Sequence, residues 1–270
     1  MSVGNSLSIW KKSGVRAFLS VLLLTAVALL IDPTPAATQP DQSVIGFSQR
    51  GQPLVVHHIG AGATSILVMG GQHGGPEANT VRLANQVLAF FVENPQLVPS
   101  HVRLDIMPEA NPDGLRSGSR QFASGVDPNR NWDGPGWSAD AADSNGVFRQ
   151  GLGGPDPFSE PETQATRDYV LSTRPILVVN YHSRGGFLLG GRSGPGAELA
   201  DVYAAASGYH RPISGAGAGS VLGYRATGSM NVWLNTEGIT GMLIELSDSV
   251  NTEFARNLAG LLAALSLLAA

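Results

Sequence analysis

The stretch Ile66-Leu-Val-Met-Gly-Gly-Gln-His-Gly-Gly-Pro-Glu77 sets the reading of the chain. A short apolar run ends in two glycines and hands over to a segment with helical periodicity, so it reads as a buried strand leading into a helix. His73 and Glu77 stand at the hand-over, an imidazole and a carboxylate four positions apart. Nitrogen and carboxylate oxygen are both ligand types that Zn²⁺ accepts, and a catalytic zinc takes three protein ligands with one position left open. The pair is therefore half of a possible metal site, and a third ligand must come from elsewhere in the chain.

Working outward, further strands are expected at Leu54 to His58, Val102 to Met107, Ile176 to Asn180 and Met242 to Leu246. Their Val, Ile and Leu runs suit strands covered on both faces. Helices fit between them. Glu77 to Glu93 has apolar residues at Val81, Ala84, Val87, Leu88 and Phe91 and stops at Asn94-Pro95. Ser159-Glu-Pro-Glu162 reads as a helix start with Ser159 as cap, Asp201 to Ala206 as a short helix, and the apolar Leu258 to Ala270 as a packed final helix. Strand–helix alternation predicts a single α/β domain, with a mixed, mostly parallel twisted sheet flanked by helices. The chain is long enough, at 270 residues, for one such domain with a full core.

Composition excludes several classes of function. A net charge of −4, with 14% charged residues, offers no basic surface for nucleic acid. The absence of cysteine removes disulfides, thiolate metal sites and thiol nucleophiles. The N-terminus reads as an export signal over residues 1–37. Lys11, Lys12 and Arg16 precede the apolar run Ala17 to Ile31, and small residues suited to cleavage follow at Ala36 and Ala37. An uncleaved anchor is the alternative, although 15 apolar residues fall short of the roughly 20 of a bilayer span. Beyond this segment no membrane partner is expected. A linker over 38–43 and a catalytic domain over 44–270 complete the organisation, and the folded part is expected to be exported, periplasmic or secreted.

Four features carry chemistry. His182 follows the apolar run ending at Tyr181, so it stands at a strand's carboxyl end, where α/β sheets collect their ligands. His73, Glu77 and His182 could converge there. Alone, His182 reads as a solvated or hydrogen-bonded residue, as do His57, His58, His101 and His210. Glu245 is a carboxylate inside the apolar strand Met242 to Leu246, a placement rare without a partner or a function; beside a metal it suits a general base. Asn129 and Arg130 sit together in Val126-Asp-Pro-Asn-Arg-Asn-Trp-Asp133, and an arginine fork matches a carboxylate. Arg120 lies ten positions before Arg130, after the turn sequence Asn111-Pro-Asp-Gly114, and by itself reads as a surface residue.

Taken together, Gly70-Gly-Gln-His-Gly, Asn111-Pro-Asp-Gly, Gly125-Val-Asp-Pro-Asn-Arg-Asn-Trp, Pro157-Phe-Ser-Glu-Pro-Glu-Thr, Tyr181-His-Ser and Ile244-Glu-Leu-Ser-Asp closely resemble the zinc carboxypeptidase family, including its bacterial murein peptide amidase relatives. The resemblance runs from about Ile45 to Asp248. It implies one zinc ion per chain held by His73, Glu77 and His182, with Glu245 as general base. It also implies that Arg120 polarises the scissile carbonyl, that Asn129 and Arg130 grip a terminal carboxylate, and that Tyr224 closes over the bound terminus. Arg116 is the second choice for the role of Arg120.

Two departures from the family pattern stand out. Three residues, Gly74-Gly-Pro76, separate His73 from Glu77, where two are commonest in the family. The position expected to set specificity falls at Met230 or Asn231, neither acidic. The expected function is an exported zinc metallocarboxypeptidase acting on a peptide with a free C-terminal carboxylate. The alternatives are a murein peptide amidase cleaving γ-D-glutamyl–diaminopimelate bonds and an N-acyl amino acid deacylase. A metal-free binding module would require loss of a ligand or of the base.

Overall fold

The computed structural model describes residues 40–212 and 221–269. The export-signal reading over 1–37, the start of the 38–43 stretch and Ala270 lie outside the described residues. Among the described residues no helix is long and apolar enough to cross a membrane.

Among the described residues nine strands form, β1 (Asp41–Phe47), β2 (Pro53–Ile59), β3 (Thr64–Met69), β4 (Val102–Met107), β5 (Ala141–Ala142), β6 (Phe148–Arg149), β7 (Leu177–Ser183), β8 (Phe187–Gly190) and β9 (Thr240–Leu246). The α-helices with described bounds are α1 (Ala78–Glu93), α2 (Pro112–Ser117), α3 (Pro161–Thr173), α4 (Ala197–Ser207), α5 (Met230–Thr236) and α6 (Phe254–Ala269). Seven strands make one sheet in the order β1-β2-β4-β3-β7-β9-β8, while β5 and β6 pair as a separate ribbon. The central strands β4, β3, β7 and β9 are parallel, and β1–β2, β2–β4 and β8–β9 are antiparallel. Only β2 and β8 therefore oppose the common direction, which makes the sheet mixed but mostly parallel.

The two-residue period of each central strand divides its side chains between two apolar layers. Ile66, Val68, Leu177, Val179, Tyr181, Met242 and Ile244 pack under α1, α4 and α6. Leu67, Met69 and Val178 face the other way, toward α3, α5, Trp132 and Trp233. On α1, Val81, Ala84, Val87 and Phe91 form the buried stripe, and the helix ends where Pro95 follows Asn94. Gly260 of α6 lies so close to Tyr203 of α4 that a Cβ there would be 2.9 Å from the ring.

Several boundaries differ from the sequence reading. β1 opens at Asp41, within the 38–43 stretch read as linker. Helix α3 has Glu160, not Ser159, in the cap position, because the Ser159 hydroxyl is already held by the Glu160 carboxylate and the Asn131 amide. Asn111-Pro-Asp-Gly opens α2 rather than a simple turn, since Asn111 Oδ1 accepts the Gly114 N–H at 2.9 Å and Pro112 takes the first helical position. The predicted Asp201–Ala206 helix extends over Ala197–Ser207.

Candidate active site

The chain leaves β3 toward β4 on one side of it, and β7 later takes the place on the other side. The crevice between β3 and β7 is thus a topological switch point, where open α/β sheets bind ligands beyond their carboxyl ends. His73 lies just past β3, and His182 is the penultimate residue of β7. His182 and Glu245 are paired across β7 and β9, and in-register neighbours project to the same face. Glu77 ends a short 3₁₀ turn, Gly75–Glu77, whose start is pinned by Gly74 and Gly75 N–H groups donating to the Arg120 and Ser119 carbonyls at 3.3 and 3.0 Å. This turn absorbs the extra residue of the His73–Glu77 step and keeps the carboxylate in the site.

Ligand atoms of His73, Glu77 and His182 all lie within 4.8 Å of one another, and all three side chains are buried. His73 Nδ1 is 2.8 Å from Glu77 Oε1 and 3.1 Å from His182 Nδ1, and His182 Nδ1 is 3.3 Å from Glu77 Oε2. The opposite ring nitrogens are engaged elsewhere. His73 Nε2 lies 3.1 Å from the Asp127 carboxylate, and His182 Nε2 lies 2.9 Å from Gln72 Oε1. A carboxylate at neutral pH only accepts, so Asp127 holds a hydrogen on His73 Nε2, and in the neutral ring, the form that binds a metal, Nδ1 offers its lone pair inward. Converging lone pairs and a carboxylate, backed by outer hydrogen bonds, form a donor set that fits a zinc ion.

Charges around this centre are coupled. Burial alone would raise the Glu77 pKa, but the neighbouring histidines hold it well below the usual carboxylate range. Burial acts upward on Asp127 too, and Arg120 and His73 outweigh it, so Asp127 also lies well below its ordinary value. Burial and Arg120 act to lower the pKa of His73, yet Glu77 and Asp127 raise it overall. For His182 burial dominates and lowers the value, despite the hydrogen bond with Glu77. Arg120 bridges the carboxylates, donating to Glu77 Oε1 at 2.6 Å and to Asp127 Oδ2 at 3.0 Å. Glu245 behaves differently. Burial first, and then the Glu77 charge, push it up to about 7, and its Oε2 has no hydrogen-bond partner among the described residues.

A cleft of about 320 Å³ opens onto this centre, and its walls include His73, His182, Arg120, Asn129, Arg130, Tyr224 and Glu245. The loop carrying Asn129 and Arg130 is fixed from within: Asn131 Nδ2 donates to Gly153 O and to Ser159 Oγ, and Trp132 Nε1 donates to Pro128 O. Asn129 Oδ1 accepts the Met230 N–H at 3.0 Å, which ties that loop to α5. Arg130 is buried, donates to the Ala142 and Asn129 carbonyls, and has Nη2 3.4 Å from the Tyr224 hydroxyl. Of the two specificity positions, Asn231 faces the cleft, and Met230 is buried beside Asn180. Arg116 is exposed on α2 outside the cleft, so of the two candidates Arg120 is the one at the site. His57, His58, His101 and His210 do not line it.

Asp127 and Gln72 are the residues to which the sequence reading gives no role. Asp127 lies inside the quoted Asn-Arg motif, three residues before Arg130, where a Pro and an Asn between them hide any periodic signal. Its spacing to His73 is 54 residues, so only the fold brings the two together.

An α/β sheet with a buried His–Glu–His cluster and an uncompensated carboxylate in one cleft defines a metal-dependent hydrolase. The chain belongs to the zinc carboxypeptidase family, whose model matches residues 36–259. Murein peptide amidase A of Escherichia coli (strain K12) is 34% identical over 155 residues, covering 54% of this chain and 60% of that protein. Carboxypeptidase B of Astacus astacus is 29% identical over 150 residues, covering 47% and 48%. The matches thus span less than two thirds of these relatives' lengths. Among solved structures, the murein-tripeptide amidase of Escherichia coli O157 is similar with a TM-score of 0.65 and 24% identity, covering 86% of this chain and 92% of that one. Thrombin activatable fibrinolysis inhibitor is similar with a TM-score of 0.69 and 20% identity, covering 86% and 69%. Both share the fold.

Proposed function

We propose that this chain hydrolyses the amide bond that precedes a terminal residue bearing a free carboxylate, the reaction of a zinc metallocarboxypeptidase. The observation that carries the reading is Glu245 Oε2, a carboxylate oxygen without a partner among the described residues, in a cleft also lined by His73, His182 and Arg130. Zinc held by His73, Glu77 and His182 would supply Lewis-acid polarisation of water and of the scissile carbonyl. Glu245 accepts the proton of the attacking water and returns it to the departing amine, a task that suits a carboxylate titrating near 7. The Arg120 guanidinium at the cleft wall stabilises negative charge developing on the carbonyl oxygen. Arg130 and the Asn129 amide hold the substrate carboxylate, which fixes the distance to the bond cut and makes the cleavage exo. Tyr224, half-buried beside Arg130, covers the bound terminus. The N-terminal composition supports an exported site of action.

A second reading, a murein peptide amidase, is favoured by one further observation. Apart from Glu245, no acidic side chain is among the described residues lining the cleft, while Arg192 adds a cation and Asn231, Asn235 and Ser193 add polar groups. Such a wall suits a terminal side chain that carries its own carboxylate, as diaminopimelate does, and disfavours lysine or arginine. The test is to offer zinc-loaded protein a panel of peptides differing only in the C-terminal residue, beside a murein tripeptide. The expected result is release of the terminal residue, faster for acidic than for basic ends. Zinc bound at one equivalent with no substrate cut would sink the hydrolase assignment. Cleavage of the tripeptide alone would select the amidase.

A further inference from the structure

Gln72 is buried among three partners whose chemistry leaves it only one orientation. The Pro128 carbonyl can only accept, so the end of Gln72 that faces it at 3.2 Å is the Nε2 amide. The other end is then Oε1, which accepts from Asn180 Nδ2 at 2.7 Å and lies 2.9 Å from His182 Nε2. A carbonyl oxygen has no hydrogen to give, so His182 Nε2 must carry one. Neutral imidazole carries only one, which leaves Nδ1 with its lone pair facing His73 and Glu77.

We infer that Gln72 is a positioning residue that fixes His182 in the Nε2–H tautomer, the form that offers Nδ1 to the metal. It does for His182 what Asp127 does for His73, but without a charge. That difference matters where Glu77, Asp127 and Glu245 already stand against Arg120. The contact also sets ring orientation. Asn180 and His182 are two residues apart on the same face of β7, so the Gln72–Asn180 bond ties the exit of β3 to the register of β7 at the ligand.

The inference rests on the zinc-site reading, and its test separates the two. Long-range proton–nitrogen NMR of zinc-free, ¹⁵N-histidine-labelled wild type is expected to show the His182 hydrogen on Nε2. In Gln72→Met, which keeps length and loses the acceptor, Nδ1–H should appear, and zinc affinity by chelator competition should fall by roughly 10–100-fold. Gln72→Glu, which keeps an acceptor, should retain the Nε2–H form. A wild-type hydrogen on Nδ1 overturns the inference without any variant, which keeps the test decisive if Gln72→Met fails to fold. So does a Gln72→Met protein whose affinity stays within about twofold of wild type, or a Gln72→Glu protein that loses the tautomer. Wild type that takes up no zinc overturns the metal-site reading, and this inference with it.

Discussion

Glu245 is the residue on which base chemistry and stability pull in opposite directions. Its carboxyl is pushed from an ordinary 4.5 up to about 7, mainly by burial, so the folded chain binds a proton that the unfolded chain has released across that window. With more protons bound in the folded state, stability falls as pH rises from about 4.5 to 7 and stays reduced above. The zinc-free Glu245→Gln protein should therefore exceed wild type in stability at pH 8, by on the order of 3 kcal/mol, with the gap closing toward pH 4. Urea titrations at the two pH values read this directly, and an equal gap at both would remove burial as the cause. The same variant should lose at least about 10²-fold in turnover, the range of general-base catalysis, with zinc content unchanged. Loss of zinc together with activity would make Glu245 a ligand instead. Little of this polarity is visible beforehand. An acid within an apolar run draws attention in the sequence, but its free oxygen and its closeness to Glu77 emerge only once β9 is registered against β7.

The turn that joins β3 to α1 decides whether the His73–Glu77 step can work. Its glycines are there for space. A Cβ on Gly75 would sit 2.4 Å from Gly118 Cα, and one on Gly74 would sit 2.3 Å from the Ser119 carbonyl oxygen, both backbone contacts that cannot swing aside. The turn is therefore seated on the end of α2 and the strip leading to Arg120, so Glu77 and Arg120 are located by the same backbone. Gly75→Ala should cost about 2 kcal/mol through overpacking. It should also weaken zinc binding, because Glu77 must move with the turn. Thermal melting and chelator competition on one sample measure both, and an unchanged zinc affinity would mean that the turn does not position the ligand. Elements with a strong local signal were legible in the sequence: β3, β4, β7 and β9 from continuous apolar runs, and α1 from its stripe and its Pro stop. β1 was not, since an edge strand exposed along one side has no continuous apolar run to show, and β8 was not, since its run Phe187-Leu-Leu189 is only three residues long. The Ser159 cap failed because a hydroxyl's choice between a helix end and the Asn131 amide is settled by tertiary contacts.

Across the whole molecule, the metal cluster draws on parts of the chain that only the sheet brings together. His73 and Glu77 come from one connection, His182 from β7, and their outer partners Asp127 and Gln72 from a fixed loop and the β3 exit. Without a cation, two ring nitrogens and a carboxylate face one another in a buried space, an arrangement that tolerates only protons or a metal. A cation that binds the folded chain and not the unfolded one must stabilise the fold by mass action, by about 2.7 kcal/mol at a hundredfold excess over its Kd. For a domain of this size each kcal/mol is worth roughly 2–4 °C, so saturating zinc should raise Tm by roughly 5–10 °C, and chelation should reverse the shift. Glu77→Ala leaves both histidines and the fold's core untouched, so it isolates the contribution of the four-residue step. Its zinc-dependent shift should shrink to a small fraction of the wild-type value. If Glu77→Ala kept the full shift, the carboxylate would not be a ligand, and the cation would have to be held by His73 and His182 with another acid from the same cleft. Glu245 is the acid placed to do so, and the double variant Glu77→Ala/Glu245→Gln would then abolish the shift that Glu77→Ala alone had spared.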